Sequence, residues 1–270
     1  MTRPTPAMRL AADATIISDT LPRTGLSRVA VIASYAATLR VSRSLATLVT
    51  EFESGGYEVV VVRAGDVQGE LLWPDWFDGH PTVVVKPNRG YDFGSWATAL
   101  TLFPVIHTVP LVILTNDSLV GPFASLAPTL DAFEKSTSDV WGITHTEEIA
   151  PHLQSYWLGF RNRVLEAPSI RQFWSRVDHI DDKDEIVLTY EIGFSKLLRS
   201  EGFVSEPLLD TPALVWANQN PTTVGWFHMM RLGFPFVKSM LVKNADLFHL
   251  NRDIDDAVEL LYGQNLREWM

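Results

Sequence analysis

Along the first half of the chain, short unbroken apolar runs are separated by longer amphipathic stretches. "SRVAVIASYA" (Ser27–Ala36), "YEVVVVRA" (Tyr57–Ala64), "PTVVVKPN" (Pro81–Asn88) and "PLVILTN" (Pro110–Asn116) are rich in β-branched residues and do not alternate with polar ones. Such runs predict strands covered on both faces. In "SRSLATLVTEFESGGY" (Ser42–Tyr57), Leu45, Leu48 and Phe52 recur at helical spacing, and Gly55-Gly56 ends the segment. "GSWATALTLF" (Gly94–Phe103) and "SLAPTLDAFEK" (Ser125–Lys135) read as further helices, and "SDVWGITHT" (Ser138–Thr146) as a fifth strand. This alternation through residue 146 predicts a mainly parallel sheet with helices on both faces.

The second half is less regular. "LQSYWLGFR" (Leu153–Arg161) reads as a strand and "SIRQFWSRV" (Ser169–Val177) as a short helix. "DDKDE" (Asp181–Glu185) reads as a solvated loop. In "TYEIGFSKLLRSEGF" (Thr189–Phe203), Tyr190, Phe194, Leu197 and Leu198 share a helix face, and Gly202 is its stop. The tail Arg252–Met270 is amphipathic and is expected to pack back on the domain. No repeat or linker divides the chain, so residues 27–270 are expected to form one domain, after a leader or extra element at 1–26.

Composition narrows the class. With 46% hydrophobic and 20% charged residues over 270 positions, a sizeable core is available and global disorder is excluded. The absence of cysteine excludes disulfides and thiolate metal sites, and is compatible with a reducing cytoplasm. A net charge of −10 without a basic stripe argues against nucleic acid and against a purely electrostatic grip on anionic lipid. No apolar run approaches the roughly 20 residues needed to span a bilayer. Asp13 and Asp19 interrupt the N-terminus where a signal peptide would be apolar.

In parallel sheets, ligands bind beyond the carboxyl ends of the strands. The polar residues there are Ser34 and Tyr35, Arg63–Asp66, Lys86–Asp92 and Asn116–Ser118. In "KPNRGYDFGSW" (Lys86–Trp96), Gly90 and Gly94 allow close approach of a ligand, Lys86 and Arg89 add positive charge, and the start of a helix suits phosphate. The competing reading is a plain turn with Asp92 as helix cap. In "TNDS", Asn116, Asp117 and Ser118 offer hard oxygens for Mg²⁺ or Mn²⁺ together with substrate phosphates, or a cap for the next helix. Glu191 stands between Tyr190 and Ile192, a setting for a general base or for a carboxylate at a helix start. His249 is the histidine singled out for a late metal or phosphate contact. No Walker A, G-x-G-x-x-G, HExxH or G-x-S-x-G motif occurs, which weakens standard nucleotide-binding, zinc-hydrolase and serine-hydrolase readings.

Six segments in order, "KPNRGYDFGSW", "ILTNDSLVGPF", "DVWGIT", "HLQSYWLGFR", "YEIGFSKLLRSEGF" and "GFPFVKSMLVKNA", resemble the rhamnan synthesis protein F family, roughly from Val29 to Ala245. The resemblance implies a bacterial polysaccharide-assembly glycosyltransferase of GT-A-like α/β fold. A nucleotide-sugar half (27–146) would merge with an acceptor half (147–270). It places Asn116-Asp117-Ser118 at the acidic metal motif of such enzymes, usually Asp-x-Asp, with Asp117 the one carboxylate left. It also implies donor contacts for Ser34, Tyr35, Lys86, Arg89, Gly90, Asp92, Asn116 and Ser118, a metal role for His249 beside Asp117, and a catalytic base in Glu191. Tyr156, Trp157 and Trp96 are candidates for stacking on sugars, the first two on the acceptor. The implied partners are a nucleoside-diphosphate sugar, dTDP-L-rhamnose by family analogy, and a glycan or lipid-linked glycan at the inner face of the plasma membrane. A catalytically silent carbohydrate- or nucleotide-binding module of an assembly complex is the alternative kept open by the shortened metal motif.

Overall fold

The computed structural model describes residues 3–67, 69–216, 218–244 and 247–269, and for Lys183, Phe248 and His249 the backbone alone. The strands are β1 (Thr15–Ser18), β2 (Arg28–Tyr35), β3 (Glu58–Ala64), β4 (Thr82–Lys86), β5 (Leu111–Asn116), β6 (Leu119–Val120), β7 (Val140–Gly142), β8 (His145–Thr146), β9 (His152–Leu153), β10 (Trp157–Phe160), β11 (Ser205–Pro207) and β12 (Val237–Lys238). The helices are α1 (Pro6–Ala12), α2 (Arg43–Ser54), α3 (Tyr91–Leu102), α4 (Ala127–Lys135), α5 (Pro168–Ser175), α6 (Lys183–Ile186), α7 (Gly193–Ser200), α8 (Trp226–Arg231), α9 (Ser239–Lys243) and α10 (Phe248–Tyr262).

Eight strands form the central sheet in the order β1-β4-β3-β2-β5-β10-β7-β11. The four strands read from the apolar runs, β4-β3-β2-β5, are parallel neighbours. The sheet as a whole is mixed: β1 runs antiparallel to β4, and β10 antiparallel to both β5 and β7. The expected α/β class therefore holds, with a parallel centre and reversed strands added to it.

Alternation along the central strands divides the core. Val29, Val31, Val60, Val62 and Val84 face the layer of α1, α3, α5 and α7. Ala30, Ile32, Val59, Val61, Val83 and Val85 face α2 and α4. A third cluster, including Val120, Phe123, Ile254 and Val258, seats α10 beside the small β6–β12 sheet. Helix α2 starts where Ser42 accepts the Leu45 N–H at 3.2 Å and ends at Gly55.

Several local expectations change. Residues 3–26 are integrated: β1 extends the sheet beside β4 and α1 packs on α3. The charge run Asp181–Glu185 is not all loop, since α6 begins within it. The helix expected over Thr189–Phe203 opens as a π-helical turn at Val187–Ile192 before becoming α7. The expected strand Ser138–Thr146 splits into β7 and β8. Among the described residues, no helix is long and apolar enough to cross a membrane.

Candidate functional site

The carboxyl ends of β2, β3 and β5 meet at one sheet edge. Ser34, Arg63 and Asp117 share the parity of the residues that face α2. Ser34 Oγ donates to Asp117 Oδ2 at 2.5 Å, and the Tyr35 N–H donates to Asp117 Oδ1 at 3.4 Å. Burial pushes the Asp117 carboxyl up from its ordinary value. The Ser34 hydroxyl, the Arg63 charge, the Tyr35 N–H and the Lys243 charge oppose that shift without cancelling it.

Asp117 does not cap a helix. The chain continues into β6, which pairs with β12, and α4 begins only at Ala127. Asn116 has the opposite parity: its Nδ2 donates to Asp92 Oδ2 at 2.7 Å, towards α3. Its Oδ1 accepts the Ser118 N–H and hydroxyl at 3.2 and 2.6 Å. The "TNDS" segment is thus pinned on both faces of the sheet, with Asp117 projecting beyond its edge.

The cations expected at this site are elsewhere. Lys86 has the parity of the α3 face and is 1% exposed. Its Nζ donates to the Pro87 and Arg89 carbonyls at 3.0 and 2.7 Å. Burial first, then the Arg89 charge, lower its pKa to about 8. Arg89 turns outward onto Asp13 at 2.8 Å. The glycines of this turn serve the turn itself. Gly90, at φ +78°, precedes the first residue of α3 and donates its N–H to His179 Nδ1 at 3.1 Å. A Cβ at Gly94 would lie 2.5 Å from the Arg89 carbonyl oxygen. Gly90, and not Asp92, takes the cap position of α3.

Arg63 and Lys243 are the positive groups that act on Asp117. Arg63 is 3% exposed and donates at long range to the Thr38 and Arg40 carbonyls, 3.3 and 3.5 Å, while its Nε has no partner. It braces the β2–α2 loop beside Asp117. The sequence placed Arg63 among the polar strand ends, and alternation from the Val59–Val62 run was the signal that could have assigned it to the Asp117 face. Nothing in the sequence marks Lys243, which depends on β12 docking against β6.

Glu191 stands at the same sheet edge. Strand β10 runs antiparallel to β5 with Trp157 opposite Thr115, so the residues before Trp157 emerge where Asn116 and Asp117 leave β5. There Ser155 Oγ donates to Glu191 Oε1 at 2.6 Å. His152 Nε2 lies 3.4 Å from Glu191 Oε2, and its Nδ1 is 2.7 Å from the Ala150 carbonyl. Burial pushes the His152 imidazole down, but the Glu191 hydrogen bond, the Ala150 carbonyl and the charges of Glu191 and Glu148 outweigh it. The net shift is upward. The π-helical turn carrying Glu191 is fixed by Tyr190, whose ring stacks on Phe93 at 5.4 Å and whose hydroxyl donates to the Asp178 carbonyl at 3.0 Å.

The expected stacking residues are packed inside. Trp157 is fully buried against Phe52, Trp96 is fully buried with its Nε1 donating to the Thr115 carbonyl at 2.9 Å, and Tyr156 is 4% exposed with its hydroxyl 2.7 Å from Thr144 Oγ1. Sequence composition could not separate such core rings from exposed ones. The side chain of His249 lies outside the described residues. Among the described residues, no group of three His, Cys, Asp or Glu is placed to hold a metal. Within Asn116–Ser118, Asp117 is the one carboxylate, and a divalent ion fits there only if the phosphates of a ligand complete its sphere.

The family match agrees with the order of the six segments. The sequence profile of the rhamnan synthesis protein F family matches residues 77–261. The chain is 26% identical over 220 residues to the virulence protein VirA of Vibrio anguillarum, covering 70% of each. It is 26% identical over 127 residues to the uncharacterized protein y4gN of Sinorhizobium fredii, covering 45% of this chain and 33% of that one. Among solved structures, a glycosyltransferase involved in glycosylation of the major capsid of PBCV-1 aligns with 83% of this chain and 99% of its own, with TM-score 0.41 and 13% identity.

Proposed function

The chain belongs to the rhamnan synthesis protein F family, and from that premise we propose that it is a glycosyltransferase of bacterial polysaccharide synthesis, of GT-A-like design. The donor is a nucleoside-diphosphate sugar, with dTDP-L-rhamnose the first to test. The acceptor is a glycan or lipid-linked glycan at the inner face of the plasma membrane. The observation that carries the reading is the pair of carboxylates at one sheet edge: Asp117 held by Ser34 and Tyr35, and Glu191 held by Ser155 and His152.

In this reading the donor diphosphate lies at the Asp117 end, where the Arg63 and Lys243 charges act. Mg²⁺ or Mn²⁺, held by the Asp117 lone pairs left free by Ser34 and Tyr35, would supply charge stabilisation to the leaving diphosphate. The acceptor oxygen attacks the anomeric carbon from the face opposite the diphosphate. The bond from that carbon to the phosphate oxygen breaks, and its electron pair leaves with the diphosphate. Glu191 takes the acceptor hydroxyl proton. Attack from the opposite face inverts the anomeric centre. Ser155 and His152 set the Glu191 carboxylate in place, so their contribution is to orientation.

The test is a thermal-shift screen of nucleotide sugars with and without Mn²⁺, followed by transfer assays with the donor that responds. A ligand that binds the native state alone raises the melting point by mass action. Glu191→Gln is expected to retain the donor-induced shift and lose turnover. Normal turnover in that variant removes Glu191 from the mechanism. Donor binding without turnover in the parent protein would favour the silent binding module.

A further inference from the structure

A separate cavity of about 210 Å³ opens between the β8–β9 hairpin, α7 and β11. His145, His152, Ser195 and Arg199 line it together with the apolar Leu153 and Phe203. None of the lining residues is a carboxylate, although the chain carries a net charge of −10. The Arg199 guanidinium, the His145 imidazole and the Ser195 hydroxyl make no hydrogen bond or ion pair among the described residues. An arginine is a planar fork of donors suited to a carboxylate or phosphate. Here that fork is left unused beside an unpaired imidazole.

The place of this cavity gives it a role. Ser195 and Arg199 are four residues apart on one face of α7, and Glu191 precedes Ser195 by a further four in the π-helical turn, so Arg199 lies on the order of 10 Å along the axis from Glu191. His152 belongs to both regions: its Nε2 faces Glu191, and its ring contributes to the cavity wall. A ligand with one end at Glu191 and the other in the cavity would span about one or two sugar units. The volume is below the roughly 300 Å³ of pockets that take drug-sized molecules, which suits one substituted sugar ring. Leu153 and Phe203 supply an apolar wall for its face, and Arg199, His145 and Ser195 supply the polar wall.

We infer that this cavity is an anion subsite which holds a carboxylate or phosphate substituent of the acceptor glycan, with Arg199 as its principal ligand and His145 and Ser195 beside it. The acceptor assignment rests on the glycosyltransferase reading; the anion site does not. Glu147 lies outside the lining but acts on His145, as Glu148 does on His152.

The test uses the full chain, with methyl glucuronide and glucose 6-phosphate as anionic probes and methyl glucoside as the neutral control. Binding is read from the histidine ring resonances of His145 and His152 during titration. Both anions, or one of them, are expected to shift these resonances, and the neutral sugar is not. Which anion binds more tightly identifies the substituent as carboxylate or phosphate. Arg199→Ala is expected to weaken binding by about tenfold or more, the size of one charge-assisted contact, while Arg199→Lys retains part of it. Arg199 is exposed, so its replacement leaves the core intact. Equal response to charged and neutral probes, or unchanged affinity in Arg199→Ala, overturns the subsite. A nucleotide-sugar thermal shift run in parallel separates the two claims. Anion binding without donor binding leaves the site and sinks the transferase reading; donor binding without anion binding does the reverse.

Discussion

Lys86 decides where the positive charge of the site comes from, and it can be tested by pH. Its side chain is 1% exposed and its ammonium is held by two carbonyls, so burial lowers its pKa from 10.5 to about 8. The unfolded chain keeps the ordinary value. Between about 8 and 10.5 the unfolded state therefore binds more protons, and stability contributed by this position rises with pH. At about 1.4 kcal/mol per pH unit, the whole interval amounts to ~3 kcal/mol, of which ~2 kcal/mol appears by pH 9.5. Lys86→Met removes the titration and leaves a fixed offset from the lost hydrogen bonds. Urea unfolding of both proteins at pH 7 and 9.5 is the assay. Relative to the variant, the parent is expected to gain ~2 kcal/mol across that interval. A gap constant to within about 0.5 kcal/mol would mean a lysine with an ordinary pKa. It would refute the buried-staple account and return Lys86 to the donor phosphates.

Two further outcomes follow from the carboxylates. Asp117→Asn is expected to be at least as stable as the parent at neutral pH, because burial disfavours the charged carboxyl, and to lose the Mn²⁺-dependent donor response in a thermal-shift assay. His152→Gln removes a group whose folded pKa is raised above 6.5. That contribution is present below pH 6.5 and lost as pH rises through the folded value, so the stability gap between parent and variant measured by urea is expected to be larger at pH 5.5 than at pH 8.

The parallel centre of the sheet was legible because strands buried on both faces carry unbroken apolar runs, as at Val59–Val62 and Val112–Leu114. The strand-end polar residues were legible as a group for the same reason. Their individual roles were not, because position at a strand end does not reveal which face a side chain takes. Parity does: Val83 and Val85 face α2, so Lys86 faces α3, whereas Arg63 follows Val59 and Val61 to the Asp117 side. Glu191 was singled out from its apolar neighbours. Its partners Ser155 and His152 were invisible, since they depend on a reversed strand and a two-residue hairpin brought together over a long chain separation. Trp96, Tyr156 and Trp157 show the opposite error: their composition fits a sugar platform equally well inside a core.

The N-terminal segment also has a meaning in the order of synthesis. Thr15 pairs with Val85, Asp13 with Arg89 and Arg9 with Asp178. Each partner leaves the ribosome long after the residue it meets. Until then β1 has no strand to pair with, but once β4 emerges the segment that covers its outer edge is already present, and an edge left unpaired would invite association with other chains. The strand that closes this side of the sheet is therefore made before the strands it completes, and it takes its place only after β2, β3 and β4 have been laid down.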